Sequence, residues 1–496
     1  MVTIDGESLT IEQVASVALS GETVSLSAAA VERMEHSRAV VDRLAGGELP
    51  VYALNTGVGL LANRRIAASE LEQLQRNVVR SHACGVGDPL PRADVRAMML
   101  IRTNVLAKGL SGIRPVLAEK LCDLLNRDVT PIVPSKGSVG ASGDLAPLAH
   151  MALVLIGEGE AEYGRRRMAG GEALRQAGIA PVTLASKEGI SLVNGTQTML
   201  AIGCLELLAA ENLAEAADLL CALTLDTLRG TPRAFDERLH RARPFAGQLR
   251  SAENLRRYLE GSEIRHSHIS CRRVQDAYSL RCAPQVHGAV RDSLAEARRV
   301  FSIELNAATD NPLVLDEEIV SGGNFHGQPI AFQLDYLAIA LCALAGISER
   351  RIDRLVNPAV NEQLPPFLAE HPGLQSGLMM AQVTAAALVA ENRVLASPAS
   401  PGSIPTSGNQ EDFVSMGATS ALKLREVVRN TSNVLAIEAL AAVRALEFLR
   451  PLRTGPILET LAAELHPYAA SMEDRPFSAD IAAIASWIGQ GRFRLF

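Results

Sequence analysis

Residues 137–150 read Gly-Ser-Val-Gly-Ala-Ser-Gly-Asp-Leu-Ala-Pro-Leu-Ala-His, and Ala141, Ser142 and Gly143 within them can build an electrophile from backbone alone. Catalytic side chains are nucleophiles, acids or bases, so attack on an electron-rich substrate needs a metal, a bound cofactor or a modified backbone. The nitrogen of Gly143 can close on the carbonyl of Ala141, because neither residue has a bulky side chain in the way. Glycine also tolerates the strained backbone that closure demands. Loss of two waters, one from the ring and one from Ser142, leaves a methylidene imidazolone with an exposed, electron-poor CH2. A small-residue turn, or a loop whose amides hold an anion, has the same composition. The glycines at 137, 140 and 143 match neither the dinucleotide fingerprint nor a P-loop.

One use for such a CH2 is to make the amine of an α-amino acid a better leaving group. The β C–H must then lose its proton, and the carboxylate must be held. A base, an anion clamp and hydrogen-bond donors are therefore expected elsewhere in the chain. In Val51-Tyr52-Ala53-Leu54-Asn55-Thr56-Gly57-Val58-Gly59, Tyr52 is either a packed ring before a glycine turn or a base. As a base near neutrality, its phenol would have to ionise about 3 pH units below its usual value, at roughly 4 kcal/mol. Tyr278 and Arg281, in Val274-Gln275-Asp276-Ala277-Tyr278-Ser279-Leu280-Arg281, are three apart and share a face if the segment is helical. A guanidinium offers a carboxylate two parallel donors, and an unpaired charge among small and apolar neighbours is costly. Glu411 and Asp412 follow Ser407-Gly408-Asn409-Gln410, where acids at a helix start are also placed by the helix dipole.

Long helices must position these groups. Aromatics are only 4% of 496 residues against 48% hydrophobic overall, so the apolar content is aliphatic and favours helix. The first 190 residues are broken by Gly, Pro and Asn clusters, with short helical patterns between them. One of these has Leu71, Leu74 and Val78 at near-helical spacing. Beyond about 194, amphipathic patterns cover roughly 195–229, 284–308, 327–357, 374–398 and 411–449. At around 25 residues or more each is about 38 Å long. Residues 336–347 are almost wholly apolar, which suits the middle of a bundle or a subunit interface. Length alone suggests two to four domains. The change of texture divides the chain into 1–193, carrying the Ala-Ser-Gly run, and 194–496, a long-helix bundle. No linker separates them, so continuous packing is expected.

Net charge is −7, with no basic patch to recruit nucleic acid. Uncharged apolar stretches such as 336–348 fall short of the ~18 residues of a membrane span. The acidic start Met-Val-Thr-Ile-Asp-Gly-Glu is unlike a signal peptide, so a cytoplasmic location is expected. Cys84, Cys122, Cys204, Cys221, Cys271, Cys282 and Cys342 are odd in number and scattered, which points to reduced thiols. His266 and His268 have no second pair at ligand spacing, so no metal site is expected.

The 137–150 run and the motifs around Tyr52, Tyr278 and Glu411 resemble the histidine and aromatic amino-acid ammonia-lyases, in family order from 51 to 416. Val193-Asn194-Gly195-Thr196-Gln197 and Gly322-Gly323-Asn324-Phe325-His326-Gly327 complete the set. The resemblance implies an imidazolone formed autocatalytically from Ala141, Ser142 and Gly143, with no external cofactor. It implies Tyr52 as the base, Arg281 on the substrate carboxylate with Gln275 and Tyr278 alongside, and Glu411 reaching the substrate. Asn194 would polarise the carbonyl of the ring, and Phe325 would form a pocket wall. It further implies a mainly all-α, aspartase/fumarase-like fold and a homotetramer whose active sites are shared between subunits. No counterpart of the fumarase-type Gly-Ser-Ser-x-Met-Pro loop is present.

Ser81-His82 is similar to the segment with which histidine-specific members contact the imidazole, and some tyrosine aminomutases share it. Gln410-Glu411-Asp412 resembles the histidine enzymes, where tyrosine and phenylalanine enzymes usually read Gln-Asp-Val. Phe413, Ala277 and Val58 depart from that pattern, which usually has His, Pro and Phe. The implied activity is elimination of ammonia from L-histidine to give trans-urocanate, the first step of histidine degradation. A tyrosine or phenylalanine lyase, a tyrosine aminomutase and an inactive helical scaffold are the alternatives.

Overall fold

The computed structural model describes residues 1–496 apart from 46, 48, 49, 270–273, 470 and 496; Cys271 therefore lies outside the described residues. Helices dominate, and the described strands are short, in sheets of two or three. The five expected long helices are Gln197–Thr227, Ala283–Glu304, Gln328–Val356, Met379–Leu395 and Gly417–Glu447. The short pattern at 71–78 lies in helix Leu71–His82, whose buried face is Leu71, Gln75, Val78 and Val79.

Two helices begin later than their apolar pattern. Residues 374–378 are held out of helix where the backbone N–H groups of Ser376 and Gly377 donate to the Asp474 carboxylate. Residues 411–416 are held out because the Met416 N–H donates to the Val139 carbonyl, at 2.9 Å, and Ser415 Oγ donates to the Gly140 carbonyl. Glu411 and Asp412 consequently precede the helix at Gly417 by more than a turn. Neither can cap it.

The chain forms two compact units. The first comprises Met1–Leu205, Arg298–Asp335 and Pro398–Leu422, and the second Glu206–Ala297, Tyr336–Ser397 and Lys423–Phe496. Most boundaries fall inside long helices, so the texture change at 193/194 marks where long helices begin rather than where a unit ends. In the first unit, helix Arg92–Ala107 is buried from Asp94 to Ala107, with helices Ile11–Ser20, Ala28–Ala45 and Pro115–Asn126 packed on it. Its Arg96 donates to the carbonyls of Val17 and Leu125 and pairs with Asp128 at 3.3 Å, and its Arg102 reaches the segment at 194–197.

In the second unit, Glu438 accepts from Thr224, Ser348 and two nitrogens of Arg351, joining three long helices through one buried carboxylate. Desolvating such a pair is costly, and the surrounding bonds offset that cost. Helix Gln328–Val356 is long and apolar enough to cross a membrane by length and composition, and half of its most apolar stretch is buried within the chain.

Candidate active site

Strand Pro134–Lys136 leads into the glycine loop, and helix Leu145–Leu155 leads out of it. Asp144 anchors the exit. Its carboxylate accepts from Ser138 Oγ at 2.9 Å and from the N–H groups of Thr198 and Met199, also at 2.9 Å. Those two amides open helix Gln197–Thr227, whose first N–H groups have no partner within the helix. Burial nevertheless dominates and pushes the Asp144 carboxyl up to about 6.

The loop is drawn tight at two positions, both with the positive φ that favours glycine. Gly140 has φ +68°, and a Cβ there would lie 2.1 Å from Ser415 Oγ. Gly143 has φ +77°, and its Cβ would lie 2.1 Å from the carbonyl oxygen of Gly195. Gly143 and Gly195 pair in a short parallel bridge: the Gly195 N–H donates to the Ser142 carbonyl at 3.3 Å, and the Asp144 N–H donates to the Gly195 carbonyl at 2.7 Å. The Ala141 methyl is buried against Val414 and Met416, while Ser142 is half-buried. Ser142 is thus the tripeptide member left facing open space.

That space is a cavity of about 610 Å³ in the first unit, lined by Ala141 and Ser142, with Tyr52, Phe325, Glu411 and Phe413 among its other walls. Ser142 Oγ donates to Glu411 Oε1 at 3.2 Å, and Thr406 Oγ1 donates to Glu411 Oε2 at 2.7 Å. Thr406 and Glu411 also pair through their backbones, which aims the carboxylate at Ser142. Tyr52 is half-buried, and its hydroxyl accepts from the Gly59 N–H at 3.3 Å.

Asn194 is buried behind the loop. Its Nδ2 donates to the Asn311 carbonyl at 3.1 Å, and its Oδ1 has no hydrogen-bond partner among the described residues. A chain prepared for cyclisation needs small residues at 141 and 143, an accessible serine between them and polar groups left over beside it. The residues present fit that requirement.

Ala141, Ser142, Tyr52, Phe325 and Glu411 therefore meet at one cavity, with Gly143 and Asn194 buried behind it. His82 does not line it. His82 closes helix Leu71–His82, with Nδ1 2.7 Å from the Val78 carbonyl, and lines a neighbouring cavity of about 800 Å³. Segment 57–66 contributes to both cavities. Gln275, Tyr278 and Arg281 belong to the second unit. Tyr278 is 71% exposed there, and the Arg281 guanidinium lies 4.6 Å from its ring centre, the one-face relation that their spacing predicts.

Sequence reasoning overlooked three residues. Asn311 and His326 line the cavity, and the His326 ring stacks on Phe413 at 6.1 Å and 15°. His326 sits beside Phe325 in the same quoted motif, and Asn311 in a Thr-Asp-Asn-Pro turn; either signal was available. Arg102, the third, stands in an unremarkable helical sequence.

A family model for aromatic amino acid lyases matches residues 9–467. The histidine ammonia-lyase of Koribacter versatilis is 56% identical, over 99% of this chain and 98% of that protein. The crystal structure of histidine ammonia-lyase from Trypanosoma cruzi superposes with a TM-score of 0.92 at 41% identity, covering 99% of this chain and 94% of that one. The tyrosine aminomutase of Streptomyces globisporus superposes with a TM-score of 0.94 at 39% identity, covering 100% and 98%. With its mainly helical fold and an Ala-Ser-Gly loop facing a cavity, this chain belongs to the aromatic amino acid lyase family.

Proposed function

We propose that the chain eliminates ammonia from L-histidine to give trans-urocanate. The observation that carries this reading is the Ser142 hydroxyl at the cavity wall, 3.2 Å from a glutamate in a Gln-Glu-Asp string. The name shared by relatives at up to 56% identity supports histidine as the substrate. The imidazolone that Ala141, Ser142 and Gly143 form, with no external cofactor, supplies an electron sink for the departing amine.

The chain's own residues do the rest. Tyr52 Oη takes the β proton of the substrate. Glu411 Oε1, released from the Ser142 hydroxyl once that group has left as water, accepts a hydrogen bond from a substrate N–H. Asn194 polarises the carbonyl next to the electrophile, and Phe325 packs against the substrate ring. Arg281 holds the carboxylate by its paired donors, with Gln275 and Tyr278 beside it. Assembly as a homotetramer brings these three to a site shared between subunits. His82 reads the imidazole, which requires segment 57–66 to open the wall between the two cavities. The enzyme works in the cytoplasm on a free amino acid, with neither nucleic acid nor membrane involved.

Purified protein offered histidine, tyrosine and phenylalanine separately, with ammonia and the conjugated product followed by absorbance, tests this reading. Turnover of tyrosine but not histidine would replace it. Phe413 favours that second reading, since its ring is 60% exposed and, stacked on His326, gives the cavity an aromatic wall. A β-amino acid product would move the chain to the aminomutases.

A further inference from the structure

Arg102 is fully buried in the central helix of the first unit, yet among the described residues no carboxylate forms a hydrogen bond with it. Its Nη1 donates to the Asn194 carbonyl at 2.6 Å and to Gln197 Oε1 at 3.0 Å, while Nε and Nη2 have no hydrogen-bond partner among the described residues. The charged groups acting on it are Asp310 and the buried Lys187, which pair with each other through Asp310 Oδ2 at 3.5 Å. Burial lowers its pKa only to about 10, so it stays charged at neutrality. If packing were its whole purpose, an apolar side chain of similar volume would serve at less cost.

The bond to Asn194 runs toward the site. The Asn194–Gly195 peptide accepts from Arg102 at its carbonyl and donates from its N–H to the Ser142 carbonyl. A cation on the oxygen of a peptide strengthens the N–H of the same peptide as a donor. A Cβ at Gly195 would lie 2.5 Å from Gln197 Oε1 and 2.7 Å from Arg102 Nη1, so the guanidinium and this peptide are in direct apposition.

We propose that Arg102 is a positioning residue that acts through the Asn194–Gly195 peptide to polarise the Ser142 carbonyl and promote dehydration of Ser142. The inference rests on reading Ala141-Ser142-Gly143 as the precursor of the ring. Ring closure forms the bond from Gly143 N to Ala141 C. The Ala141 carbonyl oxygen leaves as water with the protons of Gly143 N and Ser142 N. In the second loss the Cα–H and Cβ–Oγ bonds of Ser142 break, Cα=Cβ forms, and proton and hydroxide leave as water with no oxidant. Removing the Cα proton puts negative charge onto the Ser142 carbonyl oxygen, and a preorganised donor there lowers the barrier.

The test follows intact mass with time in freshly folded wild type, Arg102→Lys and Arg102→Gln, each shown to be folded by circular dichroism. This readout does not depend on which amino acid is turned over. Wild type should lose two waters; if it does not, the reading of the tripeptide itself fails. Given that loss, Arg102→Lys, which keeps a cation near the Asn194 carbonyl, should lose them within about threefold of the wild-type rate. Arg102→Gln should lag by more than about tenfold. Equal rates in the two variants would overturn the proposal. Should Arg102→Gln not fold, the pH profile of Arg102→Lys decides. A buried lysine loses its charge at a lower pH than the arginine it replaces, so the variant's rate should fall relative to wild type between about pH 7 and 9. A constant ratio would overturn the proposal equally.

Discussion

Replacing Gly143 by alanine separates two costs that glycine usually hides together. Gly143 has φ +77°, and its added Cβ would sit 2.1 Å from the oxygen and 2.3 Å from the carbon of the Gly195 carbonyl. Gly164 has φ +56° in the turn between strands Glu160–Tyr163 and Arg166–Ala169, with nothing within 4 Å of its Cβ position. Both substitutions incur the left-handed strain of an L-residue, about 1–2 kcal/mol. Only Gly143→Ala must also drive backbone from backbone, by about 1 Å before ordinary contact is restored. That shift breaks the bonds from the Gly195 N–H to Ser142 and from the Asp144 N–H to Gly195, each leaving buried groups unpaired at about 1–3 kcal/mol. The expected loss is therefore roughly 3–8 kcal/mol for Gly143→Ala against about 1–2 for Gly164→Ala. The larger figure rivals the 5–15 kcal/mol that typically holds a whole protein folded. Urea unfolding of both variants measures the difference, and intact mass reports whether Gly143→Ala still loses two waters. Equal unfolding midpoints, with both waters lost, would show that the Gly143–Gly195 apposition does not constrain the loop.

Ser142→Ala should keep the mass of its own encoded chain and lose turnover, because it lacks the hydroxyl that leaves in the second dehydration; a mass short by two waters would refute this. Tyr52→Phe should retain the two-water loss and slow turnover by about 10²–10⁴-fold, and steady-state kinetics at wild-type speed would exclude Tyr52 as the base. The Asp144 carboxyl is raised from 3.8 to about 6 by burial, so its ionisation opposes folding. Its contribution is whole below about pH 4 and is lost as pH rises through 6, by about 3 kcal/mol. Urea midpoints of wild type and Asp144→Asn should accordingly shift in favour of the variant between about pH 4 and 7; a constant difference would remove Asp144 as the titrating group.

Much of this protein is local in origin. The Ala-Ser-Gly order needs only adjacent residues, because the proposed ring closes within three of them. The long helices follow from aliphatic periodicity, since burial of one face stabilises them wherever they pack. Their starts were less legible. The apolar pattern at 411–416 continues into helix Gly417–Glu447, yet Met416 and Ser415 bond to the glycine loop more than 250 residues earlier and hold that stretch out. The same long-range bonds turn Glu411 from a possible helix cap into the partner of Ser142.

What only the tertiary structure decided depends on charge and space supplied by distant segments. Nothing around Arg102 in the sequence distinguishes it from Arg96, on the same buried helix; one reaches the carbonyls of Val17 and Leu125, the other the Asn194 carbonyl beside the site. His82 matches a substrate-reading motif, but the turn at 57–66 determines which cavity its ring lines. The residue types and their order specified the Ala-Ser-Gly tripeptide and the helices, because backbone chemistry and burial periodicity are properties of neighbours. Which glycine faces a carbonyl, and which buried cation polarises which peptide, emerged only when segments such as 102, 143, 195 and 411 met, because hydrogen bonds and steric exclusion act through space rather than along the chain.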